Sequence, residues 1–424
     1  MLTAIVGINW GDEGKGRMVD LLSEGYDIIC RYQGGNNAGH TVVNEKGKFI
    51  LNLLPSGILR DGVTNVMGNG MVIDIEHLCG EIDKLNGKGI AVTPETLKIS
   101  DKAFICLPYH KQQDIIEEER LADKKYGSTK RGIAPVYGDK YMKKGIRMLD
   151  LLSPDTLEQK LADILAWKNL TLKSYGADAA DCPGILSWLS NHGNRLLPFI
   201  TDTTDYLNKA VSAGKNVLFE AQLGALRDID FGIYPYTTSS QTLAAYAPIG
   251  AGIPGNKIDH VIGVMKAYSS CVGEGPFAVE MFGDDGSALR ESGAEYGAAT
   301  GRPRRVGGFD IPASRYGVMV QGANEIALTK LDVLSYLDKI PVCTAYEIDG
   351  KKTEQFPSGD KLMKALPVFE YLDGFKTDIS KCRKIEDLPD AAITYIRYIE
   401  KAVGCPIRYV SVGAGRDEYL TMGK

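Results

Sequence analysis

The first residues equipped for chemistry stand at the start of the chain, in Thr3-Ala-Ile-Val-Gly-Ile-Asn-Trp-Gly-Asp-Glu-Gly-Lys-Gly-Arg17. An apolar, β-prone run enters a turn holding Gly11, Gly14 and Gly16, and the helix-compatible Met18-Val19-Asp20-Leu21-Leu22 leaves it. Strand, glycine turn and helix point backbone N–H groups and a helix N-terminus at a phosphate. Lys15 adds a point charge. The turn departs from a P-loop, G-x-x-x-x-G-K-[ST], at both ends: Asn9 stands where the first glycine belongs, and Gly16 replaces the hydroxyl that holds Mg²⁺. Two acids, Asp12 and Glu13, sit inside the turn. A carboxylate facing a polyphosphate is unfavourable unless a metal lies between them or the acid does proton chemistry, and a plain strand–helix junction would not explain Asp-Glu beside Lys.

Further polar clusters follow strand-like runs. Gln33-Gly-Gly-Asn-Asn-Ala-Gly-His-Thr41 combines glycines that permit close backbone approach with donors at Asn37 and His40. A histidine ending such a turn suits acid–base work. Gly127-Ser-Thr-Lys-Arg-Gly132 is a small, basic turn suited to a phosphate, and Phe219-Glu-Ala-Gln-Leu-Gly224 puts an acid and the amide of Gln222 at a strand end. Four hydroxyls, Thr237 to Ser240, follow Tyr234-Pro-Tyr236 and would also serve a helix N-cap. Gly297-Ala-Ala-Thr-Gly-Arg-Pro-Arg-Arg-Val-Gly-Gly308 sets three arginines among glycines, which suits bidentate recognition of carboxylate or phosphate by a loop that closes on its ligand. Thr329-Lys-Leu-Asp332 has the form of the guanine-reading N-K-x-D element. There a carboxylate accepts from N1–H and the 2-amino group while the lysine stem stacks on the base. With the phosphate turn, it makes GTP the leading nucleotide.

The elements that must position these groups are short apolar runs separated by helical segments. Strands are expected at 26–32, 49–54, 65–68, 97–100, 103–107, 216–220, 258–265, 326–330, 340–343 and 407–412, and helices over 74–86, 109–122 and much of 155–215, with a turn at Asp181-Cys-Pro-Gly184. Continuous rather than alternating strands favour an α/β fold around a mostly parallel sheet covered on both faces, with ligand groups at the carboxyl ends of its strands. The informative stretches run from residue 7 to residue 416, so one domain over 1–424 is expected, with helical insertions at about 108–215. A composition 44% hydrophobic and 24% charged is that of an ordinary globular protein. A net charge of −5 argues against a nucleic-acid footprint. No run of about 18 apolar residues would span a membrane, and the opening lacks the basic flank of a signal peptide. Eight dispersed cysteines without a C-x-x-C pair read as reduced thiols of a cytoplasmic protein, and the five histidines offer no zinc-ligand pair.

Taken in order, Gly11-Asp-Glu-Gly-Lys-Gly16, Gln33–Thr41, Tyr234-Pro-Tyr236 with Ser239-Ser240, Lys266-Ala-Tyr-Ser269 and Thr329-Lys-Leu-Asp332 resemble the adenylosuccinate synthetase family over essentially the whole chain. The resemblance implies a cytoplasmic homodimer that makes adenylosuccinate from IMP and L-aspartate with GTP hydrolysis and one Mg²⁺ per subunit, a step of AMP synthesis. It implies Asp12 as the base that takes the N1 proton of IMP, His40 as general acid, and Gln222 as holder of a 6-phosphoryl intermediate. It implies Mg²⁺ on the Asp12 carboxylate and the Gly39 carbonyl, which would explain why Gly16 needs no hydroxyl. GTP would meet Glu13, Gly14, Lys15, Gly16, Arg304, Lys330, Asp332, Ser411 and Gly413. IMP would meet Asp12, Asn37, Thr129, Lys143, Gln222, Thr238 and Arg302, and aspartate the 298–304 loop through Ala298, Ala299, Thr300, Gly301, Arg302 and Arg304.

This chain departs from the family's pattern at several of these places. Asn36 stands for a common histidine, and Gly127-Ser-Thr-Lys-Arg-Gly132 for Gly-Thr-Thr-Gly-Arg-Gly. Lys143 stands for an arginine that reaches the IMP phosphate across the dimer, keeping the charge and losing the bidentate fork. Ala299 replaces a threonine and Pro303 an arginine, so altered aspartate affinity is expected. Two other readings compete. The viral relative that makes 2-aminoadenylosuccinate from dGMP with ATP lacks the catalytic aspartate and alters the guanine element. A GTP-binding switch protein would need a hydroxyl after Lys15 and would leave His40 and the arginine loop without a role.

Overall fold

A computed structural model describes residues 1–44, 47–297 and 301–423. Its centre is a ten-stranded sheet. In chain order the strands are β1 (Leu2–Gly7), β2 (Ile28–Arg31), β3 (Thr64–Met67), β4 (Leu97–Ser100), β5 (Ile200–Thr201), β6 (Val217–Glu220), β7 (His260–Lys266), β8 (Glu325–Thr329), β9 (Ile407–Ser411) and β10 (Tyr419–Thr421). In space they run β10-β9-β8-β7-β1-β6-β2-β3-β4-β5. All pairs are parallel except β9–β10, at one edge.

The apolar run that opens the chain becomes the middle of this sheet because every residue of β1 can be buried. Leu2, Ala4 and Val6 enter one core cluster, whereas Ile5 enters another with Met18 and Val19 of helix α1 (Lys15–Leu22). Alternate side chains pack on opposite faces, so both faces are covered, as a parallel strand requires. Each buried Leu, Ile, Val or Met among these contributes about 1.5–3 kcal/mol. Register brings Ile5 beside Glu220 of β6 and Gly7 beside Val264 of β7.

The strand order reverses around β1. After β1 the chain builds β2 to β5 outward on one side, returns to insert β6, and then builds β7 to β10 outward on the other. Such a switch opens a crevice beyond the carboxyl ends of the strands. The polar turns after β1, β2, β6, β8 and β9 all begin there.

Several expected elements fall elsewhere. Residues 340–343 belong to Lys339–Ile348, which pairs antiparallel with Leu366–Asp373 in a separate sheet. Residues 49–54 overlap Gly47–Leu51, which forms a hairpin with His40–Asn44. Strand Phe104–Ile105 pairs parallel with Val72–Ile73 in a separate two-stranded sheet. Periodicity marks a buried strand without saying which sheet it joins. The expected turn at 181–184 is a helix start: Asp181 caps Cys182–Leu196 by accepting from Gly184 N at 2.8 Å. The stretch at 108–215 holds the helices Pro108–Arg120, Ile133–Tyr141, Pro154–Ser174, Cys182–Leu196 and Thr203–Ser212, and also β5.

Candidate active site

The turn after β1 is held from within. Glu13 is buried, and its carboxylate accepts from Asn9 N at 3.1 Å, Gly11 N at 2.8 Å and Lys15 Nζ at 2.7 Å. A side chain at Gly7 would meet Leu223 O at 2.4 Å and the Glu13 carboxylate at 2.6 Å. Thr329 Oγ1 donates to Glu13 O at 2.7 Å, tying the end of β8 to the same turn. Gly14 takes a left-handed conformation, and among the described residues no side chain caps the helix start it leads into. The first amides of α1 are therefore left to face an anion.

Three non-glycine residues at the strand ends adopt positive φ: Asp12 after β1, Leu223 after β6 and Lys330 after β8, each at 59°. Left-handed backbone is disfavoured for side chains with a Cβ and is found where the surroundings enforce it, often at functional sites. Asp12 is 28% exposed, enough to reach a ligand, and its Oδ2 lies 3.0 Å from Nη2 of Arg304.

His40 packs against the first turn of α1: a Cβ at Gly16 would stand 2.7 Å from His40 Cβ. The missing hydroxyl of the P-loop thus has a steric cause that sequence reasoning did not find. His40 Nδ1 bonds Glu220 Oε1 at the end of β6. Glu220 also accepts from Ser56 N and Ser56 Oγ, both at 2.7 Å. Burial pushes the Glu220 carboxyl up, but His40, Arg31 and Ser56 outweigh it and hold the carboxyl below its ordinary range. The ionised carboxylate fixes the tautomer: Nδ1–H donates to it, so the neutral imidazole carries no proton on Nε2. Glu220 was legible only as an acid at a strand end. Its pairing with a histidine 180 positions away was not.

Gln222 is fully buried. Its Nε2 donates to Gly35 O at 2.6 Å, and its backbone carbonyl accepts from Gln33 Nε2 at 2.8 Å. Ser240 Oγ donates to Gln33 Oε1 at 2.8 Å, which brings the hydroxyl cluster to the glycine turn; no helix begins at these hydroxyls. Asn37 Oδ1 accepts from Gly35 N at 3.3 Å. Asn36 donates to Asp74 at 2.9 Å, so it supports the turn from behind.

The guanine-like element also lies at this crevice. Asp332 is pushed up by burial, and Arg17 of α1 donates to Ser411 Oγ and to the carbonyls of Gly413, Gly415 and Glu418. Arg17 was not among the expected site residues. Arg302 pairs with Glu274 at 2.9 Å, and Glu274 N donates to Tyr126 O beside the 127–132 turn. Gly301 N donates to Gly297 O, and Gly297 N to Arg302 O, both at 2.8 Å. Ala298, Ala299 and Thr300 lie outside the described residues. Thr129 and Lys143 are exposed; helix Ile133–Tyr141 between them packs on the glycine turn, where Tyr137 OH accepts from Gly34 N at 2.9 Å.

Four buried polar atoms among the expected residues have no partner in the described residues: Gln222 Oε1, Thr238 Oγ1, Asp332 Oδ1 and Arg304 Nε. Such atoms are costly unless something bonds them, and their coincidence with the expected site marks where a polar ligand fits. A cavity of about 670 Å³ lined by Arg383, Lys384, Glu386, Arg397 and Asp417 contains none of these residues. Among the described residues no cluster of three or more His, Cys, Asp or Glu could enclose a metal. Mg²⁺ does not need one, because it is bound by one or two carboxylates together with substrate phosphates and water. Asp12, a hard oxygen donor at the phosphate turn, fits that requirement.

A family model described as adenylosuccinate synthetase matches residues 4–420. The adenylosuccinate synthetase of Caldanaerobacter subterraneus is 45% identical over 423 residues, covering 99% of each chain. That of Pelobacter propionicus is 46% identical over 421 residues, covering 99% of this chain and 98% of the other. The structure of fully ligated adenylosuccinate synthetase from Plasmodium falciparum superposes with a TM-score of 0.94 at 38% identity, covering all of both chains. Cyanophage S-2L succinoaminodeoxyadenylate synthetase, bound to dGMP and dATP, covers 100% of this chain and 95% of its own at a TM-score of 0.63 and 18% identity, and shares the fold alone. The chain belongs to the adenylosuccinate synthetase family.

Proposed function

We propose that the GTP-dependent ligation of L-aspartate to IMP that marks this family runs, in this chain, through Asp12, His40 and Gln222. The observation that carries the reading is the His40–Glu220 pair seated on Gly16, which sets Nε2 beside the phosphate turn with its proton bookkeeping fixed. The 6-oxo group of IMP is a poor leaving group. Asp12 takes the N1 proton, O6 attacks the γ-phosphorus, and the bond to the bridging oxygen breaks to release GDP. Lys15 and the first amides of α1 bear the charge of the transfer. The arriving phosphoryl oxygens place negative charge beside His40 Nε2 and raise its affinity for a proton. Glu220 stabilises the resulting imidazolium. Gln222 donates from Nε2 to the 6-phosphoryl intermediate and holds it until the aspartate amine attacks C6 and phosphate leaves.

Mg²⁺ would be held by Asp12 and the Gly39 carbonyl and would neutralise phosphate charge. Asn37, Thr129, Thr238 and Arg302 would contact IMP. The 298–304 loop would take aspartate. Lys330, Asp332, Ser411 and Gly413 would read guanine. We extend the reading to a cytoplasmic homodimer in which Lys143 reaches the IMP phosphate of the partner subunit. No described helix is long and apolar enough to cross a membrane.

The test is to mix protein, Mg²⁺, GTP, IMP and L-aspartate and follow the ultraviolet absorbance of adenylosuccinate. Product should require every component. Product formed equally well without aspartate, or none with all present, defeats the reading. Faster turnover with ATP and dGMP than with GTP and IMP would favour the viral activity instead.

A further inference from the structure

The motif Lys266-Ala-Tyr-Ser269 has no role in the scheme above, yet its two functional side chains are buried against one carboxylate. Glu295 is fully buried. Its Oε1 accepts from Lys266 Nζ at 2.7 Å, from Lys330 Nζ at 3.2 Å and from Tyr268 OH. Its Oε2 accepts from Lys266 Nζ at 2.9 Å and from Arg304 Nη1 at 2.7 Å. One anion therefore serves three cations. Burial pushes the Glu295 carboxyl up, but Lys266, Lys330 and Arg304 more than reverse this and keep it ionised.

We infer that Glu295 is a positioning residue that sets the guanine-reading Lys330 and the loop arginine Arg304 from a single buried charge, coupling the nucleotide and aspartate ends of the site. The inference rests on the roles of Lys330 and Arg304 proposed above. Lys266, at the end of β7, and Tyr268 fix Glu295 from the sheet side, and Lys266 Nζ is itself anchored to Ser270 Oγ at 2.6 Å. The backbone repeats the tie, since Arg304 N donates to Glu295 O at 2.9 Å. Arg304 is thus divided in function. Nη1 is committed to Glu295, whereas Nη2 rests on Asp12 and Nε is buried without a partner in the described residues. That second edge of the guanidinium is the one placed to exchange Asp12 for an incoming anion. The exchange would free Asp12 as the site fills. Without the Glu295 charge, Lys266, Lys330 and Arg304 repel one another, and neither Lys330 nor Arg304 keeps its place.

Steady-state kinetics on the intact enzyme separate this inference from the reading beneath it. Glu295→Gln should raise KM for both GTP and L-aspartate by about 10-fold or more, the loss of one charge-assisted contact at each ligand, and leave KM for IMP within about threefold. Tyr268→Phe, which keeps the charge and removes one hydrogen bond, should move the same two constants in parallel by a smaller factor, and it decides the matter if Glu295→Gln does not fold. Lys330→Met should raise KM for GTP. If Lys330→Met leaves that constant unmoved, the site reading fails. If Lys330→Met moves it while the Glu295 and Tyr268 variants lower Tm with both constants unchanged, or shift only one, the coupling role of Glu295 is refuted.

Discussion

Replacing Gly16 with serine would restore the hydroxyl that a P-loop carries after its lysine, and it should cripple this enzyme. The new Cβ would stand 2.7 Å from His40 Cβ and 3.2 Å from both His40 Cγ and Ser56 Oγ. Ordinary contact begins at 3.4 Å, so His40 must retreat by the difference, about 0.7 Å. The clash is with the root of the side chain, so no rotamer change relieves it. His40 opens the hairpin strand His40–Asn44, its ring is bound to Glu220, and Glu220 is held in turn by Ser56. Overpacking of this kind costs about 1–3 kcal/mol of stability. A catalytic group displaced by about 1 Å costs about 100-fold in rate. The Lys15 charge and the backbone amides of α1 are untouched, so GTP binding should fall far less than kcat. Adenylosuccinate formation followed by absorbance gives kcat, and calorimetric titration with GTP gives the binding. A Gly16→Ser or Gly16→Ala enzyme with kcat within about threefold of the parent would refute the steric argument, because the displacement would then carry no rate cost.

Glu220→Gln should lower kcat by roughly 100-fold, the smaller end of what a positioned general acid contributes. Glu220 opposes the burial that pushes His40 down, so its loss should also move the alkaline limb of the kcat profile to lower pH; an unchanged profile would count against the pairing. Asp310 supplies a test of stability. Burial pushes its carboxyl up to about 6, although Tyr346 OH at 2.6 Å and Ala313 N at 3.0 Å both donate to it. A folded-state value above the unfolded 3.8 means that its contribution is fully present below pH 3.8 and is lost as pH rises through 6. The shift of about 2 pH units corresponds to about 3 kcal/mol. Asp310→Asn should remove that slope, so the difference in unfolding free energy between mutant and parent, measured by denaturant titration, should move in the mutant's favour between pH 4 and 7. A difference independent of pH would contradict the assignment.

How far the sequence could be read follows from what each feature depends on. The Gly11–Gly16 turn, the histidine ending Gln33–Thr41, Gln222 at the end of β6 and Thr329-Lys-Leu-Asp332 are local patterns. Each sits at a strand end, and the switch in strand order gathers those ends. The parallel sheet was legible because its strands are apolar without alternation. Non-local pairings were not legible. Glu295 meets Lys266 across 29 residues and Lys330 across 35, and Arg17 meets Ser411 across 394, distances over which no spacing rule operates. By sequence alone Gly16 is a missing metal ligand; the structure also makes it the space into which His40 packs. Residues 340–343 have the composition of a central strand and lie in another sheet, because the pattern of a buried strand carries no information about its neighbours.

If Asp12 acts as the base, comparing Asp12→Asn with the parent for both turnover and GTP binding measures it directly. Asparagine keeps the shape of the side chain but cannot take the N1 proton. It also weakens the hold on Arg304, now 3.0 Å away. Adenylosuccinate formation should fall by at least about 100-fold, with GTP affinity within about 10-fold of the parent. Turnover retained at the parent's rate would place the base elsewhere.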